Sequence, residues 1–181
     1  MVDFNPPEFT MIDKTKELAE EVTDADIINH SPYDPKLIVL QINAFPDKPY
    51  MGYELHQALL AAGLRFGEKN IFHRYEGEDS NKILFSLAAA TPEGSFAIED
   101  MGSFKCNGLL LFMDLDTKNR LMTSFDLMLD TARQLAEELG GDIYDDLRQV
   151  INADVIKRIR EKICTVETGN LYVSDLLDNL D

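Results

Sequence analysis

The chain has 181 residues, about one domain, with 33 acidic against 17 basic residues and a net charge of −16. A hydrophobic fraction of 45% supports a packed core and excludes a wholly disordered chain. The acidity argues against duplex binding, which depends on cations laid against phosphates.

The charge is concentrated at the ends. Residues 1–36 hold nine acids and three bases, and residues 165–181 hold four acids and no base. The pattern predicts a compact domain over 37–164, an acidic N-terminal flank over 1–36 and an acidic tail over 165–181. The first flank carries Pro6-Pro7, a helix-like stretch over 12–22, and a turn-rich run ending at Pro35. Leu37 to Ile42 is short, apolar and rich in β-branched residues, and reads as a central strand. Tyr53 to Ala62 has helical spacing at Leu55, Ala58, Leu59 and Ala62, and Gly63 is placed to cap it. Strands are expected at 70–74, 83–90 and 109–115, separated by turns. A long helix is expected over 124–139, started by Thr123 or Ser124 and stopped by Gly140-Gly141. A short strand at 142–144 and a helix over 152–163 complete the domain. Val155, Ile156, Ile159 and Ile163 of that helix face inward, and Lys157, Arg158, Arg160 and Lys162 face solvent. The order predicts an α/β or α+β sandwich, with helices on one face of a mostly antiparallel sheet.

Chemical motifs are sparse. Cys106 and Cys164 are too few for a disulfide framework and share no zinc spacing with His30, His56 or His73. Reduced thiols and a soluble, cytosol-facing domain are therefore expected. No apolar run approaches the roughly 20 residues of a bilayer span, and the start lacks a signal-peptide pattern. His73 lies on a strand and reads as structural, and His56 is placed on the exposed side of its helix. Asp145-Asp146 reads as a turn or cap rather than an acid pair. Gly140-Gly141 has no phosphate-loop lysine after it, and no nucleophile elbow is present. These features argue against an enzyme, and no cofactor or metal is expected. A small-molecule enzyme would instead need a deep polar pocket with converging titratable groups.

Several motifs together carry a family resemblance. They are Gln57 to Gly67, Asn70-Ile71-Phe72-His73-Arg74, Leu84 to Ala88, Gly94-Ser95-Phe96, and Phe125 to Gly141 followed by Asp145-Asp146 and Arg148. In order and spacing, over about residues 37–163, they closely resemble the C-terminal domain of the ZipA cell-division family. The resemblance implies about six antiparallel strands with a split β-α-β unit and three helices on one side. It implies binding of the C-terminal tail peptide of FtsZ, in a shallow apolar groove on the helix-free face. That activity serves septation at the cytoplasmic side of the inner membrane. Family members carry an N-terminal membrane anchor and a long linker that this sequence does not show. Membrane attachment is thus expected only through a segment outside it.

Strand alternation then sorts the residues. Ile38, Leu40, Ile42, Phe85, Leu87, Ala89, Leu109, Leu111 and Met113 should face the helices. Leu37, Val39, Gln41, Ser86, Ala88, Ala90, Leu110 and Phe112 should face the groove. The resemblance adds Ile71 and Lys69 at the groove edge and Arg148 near it. The expected site is therefore Leu37, Val39, Ile71, Ala88, Ala90, Leu110 and Phe112 as floor, with Lys69 and Arg148 as polar edges. The family pattern has methionine where this chain has Lys69 and Ala90, which predicts altered anchor preferences and a wider, shallower pocket at Ala90. Two alternatives share the binding class. The groove takes a different acidic-apolar peptide, or it is held closed by the chain's own flanks.

Overall fold

The structure, a computed structural model, describes residues 36–117 and 120–178, with side-chain surroundings up to residue 169. The helix-like stretch over 12–22 and the turn-rich run before Lys36 lie outside the described residues. The elements in chain order are β1 (Leu37–Asn43), β2 (Tyr50–Met51), α1 (Gly52–Ala61), β3 (Arg65–Phe66), β4 (Phe72–Tyr75), β5 (Ile83–Ala89), β6 (Lys105–Cys106), β7 (Gly108–Asp114), α2 (Leu121–Leu139), β8 (Asp142–Asp145) and α3 (Ala153–Asp178). Six strands form an antiparallel sheet in the order β3-β4-β5-β7-β1-β8, and β2 pairs with β6 in a separate ribbon.

Alternation along the strands builds the main core. Ile38, Leu40 and Ile42 of β1, Phe85, Leu87 and Ala89 of β5, and Leu109, Leu111 and Met113 of β7 are all buried in one cluster. Leu55, Ala58 and Leu59 of α1, Phe125 and Leu135 of α2, and Val155 and Ile159 of α3 join them from the helix layer. Each fully buried aliphatic or aromatic side chain contributes about 1.5–3 kcal/mol of transfer energy. The fold is therefore an α+β sandwich, as the periodicity and the resemblance implied.

Glycine sets two of the junctions. Gly63 closes α1 at φ 81, where its N–H donates to Leu60 and that of Leu64 to Leu59. This is the paired-bond ending that favours glycine. At Gly141 a Cβ would stand 2.4 Å from the Asn43 carbonyl and 2.5 Å from the Tyr50 hydroxyl, so only glycine lets α2 turn into β8. Tyr50 donates to the Gly140 carbonyl at 2.6 Å, and burial pushes its phenol above its ordinary value.

The helix ends differ from the sequence reading. α2 starts at Leu121, so neither Thr123 nor Ser124 caps it. The carboxylate of Glu167 on α3 accepts from the Met122 N–H at 3.3 Å instead, a tertiary contact in place of a local one. α3 is capped as a helix should be, with Asn152 Oδ1 accepting from the Val155 N–H at 2.9 Å. It runs to Asp178, well beyond Ile163. Val166 packs on the main core, which gives the extension a tertiary reason to stay helical. β4 starts later than expected because residues 68–70 form a short 3-10 turn.

Candidate functional site

The other face of the sheet has its own apolar cluster. Val39, Ile71, Ala88 and Leu110 are buried together, with Leu37 and Phe112 half-buried against them. Among the described residues, no helix contributes to this cluster.

Strand register fixes its geometry. Side chains directly opposite on antiparallel strands share a face. Val39 lies opposite Phe112, and Phe112 opposite Ser86, which in turn lies opposite His73. One row therefore crosses the sheet as His73, Ser86, Phe112, Val39. The next row is Ala88, Leu110, Gln41 and Tyr144, and Ile71 joins Ala88 in the cluster just ahead of β4. A third position on the same face is thin. The Ala90 N–H donates to the Gly108 carbonyl at 3.0 Å, and Asn43 lies opposite Gly108. A glycine faces an alanine there, so the floor drops away.

Polar residues rim the apolar centre. Gln41 donates to Asn43 Oδ1 at 2.7 Å on the β8 side. On the β4 side, the Arg65 guanidinium stacks 4.1 Å over the Tyr75 ring. Lys69 and Arg148 are exposed, each on a left-handed backbone (φ 62 and φ 59) in the turns that precede β4 and follow β8.

Thus the structure brings Leu37, Val39, Ile71, Ala88, Leu110 and Phe112 into one cluster. It places Ala90 half-buried at its shallow end. Lys69 and Arg148 stand apart, on turns at opposite sides of the sheet. Sequence reasoning gave His73 as structural and Asp145 as a turn or cap residue, but missed the partners that hold them beneath those turns. His73 is buried between Ser86 Oγ (2.7 Å) and the Glu68 carbonyl (3.0 Å). The Asp145 carboxylate is buried in the β8 turn, as the turn reading implied, and is also paired with Arg158. Alternation placed Ser86 on the groove face, but its bond to His73 needed the register. His56 is half-buried, with its ring edge-on to Phe72 at 5.9 Å, rather than on the exposed side. Of the cations expected to be solvated, Arg158 pairs with Asp145, and Arg160 pairs with Asp126 at 2.8 Å.

Among the described residues no group of three or more His, Cys, Asp or Glu side chains could hold a metal ion. None of their helices is long and apolar enough to cross a membrane. Cys106 is buried, and burial pushes its thiol up to about 12, while Cys164 is exposed.

An antiparallel sheet with helices on one side and an apolar cluster on the other defines an α+β sandwich domain of the kind the motifs implied. A family model described as "ZipA, C-terminal FtsZ-binding domain" matches residues 36–162. Among similar proteins is the cell division protein ZipA of Ectopseudomonas mendocina, 37% identical over 137 residues, covering 75% of this chain and 50% of that protein. That of Azotobacter vinelandii is 36% identical over 141 residues, covering 77% and 49%. That of Vibrio parahaemolyticus is 32% identical over 172 residues, covering 91% and 54%. The chain belongs to the ZipA C-terminal domain family of cell-division proteins. It spans about half the length of the curated relatives it matches.

Proposed function

We propose that this domain is a non-enzymatic adaptor that captures the C-terminal tail peptide of FtsZ on the helix-free sheet face. There it helps hold division filaments at the cytoplasmic side of the inner membrane. The observation that carries the reading is an apolar cluster confined to the face the helices leave alone, in a chain whose family is described by FtsZ binding. Leu37, Val39, Ile71, Ala88, Leu110 and Phe112 supply the floor, Ala90 an open end, and Lys69 and Arg148 the cations for an acidic-apolar tail.

A helical peptide would set its i, i+3 and i+4 apolar side chains on this floor. Burial at about 25 cal/mol per Å² drives association, and ordering a flexible tail consumes part of it, which points to micromolar affinity. The test is titration of a labelled FtsZ tail peptide by fluorescence anisotropy. Saturable micromolar binding supports the reading, and no binding refutes it.

A second occupant is favoured by one observation. Val39, Ile71, Ala88 and Leu110 keep only 5, 7, 1 and 3% of their surface, although no described helix joins them. The N-terminal flank enters the domain at Leu37, beside this cluster, and carries Phe4, Pro6-Pro7 and Phe9 among acids. Under this reading the flank, which lies outside the described residues, competes with the tail for this face. Removing residues 1–30 should then tighten tail binding severalfold; equal affinity with and without the flank would eliminate it.

A further inference from the structure

The two cations assigned to the proposed site sit on costly backbone. Lys69 and Asn70 are consecutive left-handed residues (φ 62 and 56), and Arg148 is a third (φ 59). None is a glycine, so each turn holds about 1 kcal/mol or more of strain that its surroundings must offset.

Each turn is pinned by one buried polar side chain from the strand beside it. In the first turn, the Gly67 N–H donates to the Ile71 carbonyl at 3.0 Å, and the Asn70 N–H to the Gly67 carbonyl at 3.2 Å. His73, buried beneath, bonds through Nε2 to the Glu68 carbonyl at 3.0 Å. A carbonyl can only accept, so Nε2 carries the proton; in the neutral ring Nδ1 then accepts from the Ser86 hydroxyl at 2.7 Å. Ser86 on β5 thereby orients the ring. Space reinforces this: a Cβ on Gly67 would stand 3.0 Å from the Tyr75 hydroxyl and 3.1 Å from His73 Cδ2.

The second turn repeats the device with different chemistry. Asp145 Oδ1 accepts from the Leu147 N–H at 3.0 Å and the Gln149 N–H at 2.7 Å. The Arg148 N–H donates to the Asp145 carbonyl at 3.1 Å. Asp145 Oδ2 pairs with Arg158 of α3. So a residue on a separate element, Ser86 in one case and Arg158 in the other, holds the clamp.

We propose that His73 and Asp145 are positioning residues: they preset Lys69 and Arg148 for the acidic groups of a docked peptide, and so set its charge register. The proposal rests on the docking reading above. A flexible turn pays backbone ordering entropy on binding, and a clamped turn has already lost it, which leaves only the cation's side chain to order. Neither clamp touches the peptide.

The test is a pair of double-mutant cycles on the full chain, read by tail-peptide anisotropy at low and high salt. His73→Leu and Lys69→Ala should each weaken binding about fivefold at low salt, with a smaller loss at high salt as the cation is screened. The double variant should lose no more than either single one. His73→Gln, whose amide nitrogen reaches the Glu68 carbonyl, should recover most of the loss. Asp145→Asn with Arg148→Ala should behave in the same way. Effects that multiply in the double variants, or wild-type affinity in a folded His73→Leu, would overturn the proposal. A readout without peptide separates it from the docking reading. The amide-to-Hα couplings of Lys69 and Asn70 report positive φ, and His73→Leu should shift them. Unchanged couplings overturn the clamp. Shifted couplings in a protein whose wild type binds no tail peptide keep the clamp, overturn its role in binding, and refute docking.

Discussion

The two faces of the sheet are built from alternate residues of the same strands, yet they are packed by different rules. On the helix side, long and branched side chains such as Leu40, Leu87 and Leu111 interlock with three helices and lose all contact with water. On the other side the residues between them include Ala88, Ser86 and Gly108, and the apolar cluster has six members. Small residues there keep the floor low, which suits a surface that takes a partner rather than a helix of its own. Neighbours in one strand, Leu111 and Phe112, thus divide between the packed core and the proposed binding face.

The comparison breaks most visibly at Leu111. Leu111→Ala should cost about 3–4 kcal/mol of stability, measured by urea unfolding, because its site among packed helices cannot collapse. A loss under about 1 kcal/mol would contradict the asymmetry. Next is Asp145, which supports a turn and an ion pair at once. Asp145→Ala should cost about 3 kcal/mol by the same measurement, since its N–H partners and Arg158 lose their acceptor.

Phe112→Asp should do the reverse of Leu111→Ala. Tail-peptide affinity should fall about a hundredfold, roughly 2.7 kcal/mol, while the melting temperature moves by only a few degrees. Retained affinity in the folded variant would remove Phe112 from the site. The smallest effect sharpens the picture. Ala90 faces Gly108 across the strands, so Ala90→Met has room to raise the floor with an adaptable side chain. Affinity should rise about threefold by anisotropy, about 0.6 kcal/mol; weaker binding would mean the open end already holds a peptide side chain.

Much of this asymmetry was readable from residue order. The period-two alternation in β1, β5 and β7 divided both sets of residues between the faces. The spacing of Phe125, Met128, Leu129, Ala132 and Leu135 placed a helix against one of them. Gly63 and Gly140-Gly141 marked stops that the structure keeps. The misses share a physical cause. The start of α2 depends on Glu167, 45 residues away. The two-residue strands β2 and β6 are too short to leave a period. The continuation of α3 past Ile163 is supported by contacts made by Val166 and Glu167. At the site, the apolar floor was legible because it is periodic. The partners of His73 and Asp145 were not, because His73 with Ser86 and Asp145 with Arg158 are each separated by 13 residues and meet only through pairing and packing.

By itself, then, the order of residues determined which side chains share a face and where most helices and strands lie, because these follow from local periodicity and spacing, and its motifs carried the family resemblance. Only the tertiary structure decided the register that sets Phe112 between Val39 and Ser86, the two clamped turns that carry Lys69 and Arg148, and the contact that starts α2. Those depend on groups distant in sequence finding hydrogen-bond partners in a shared interior, where an unpaired polar group costs too much to leave alone.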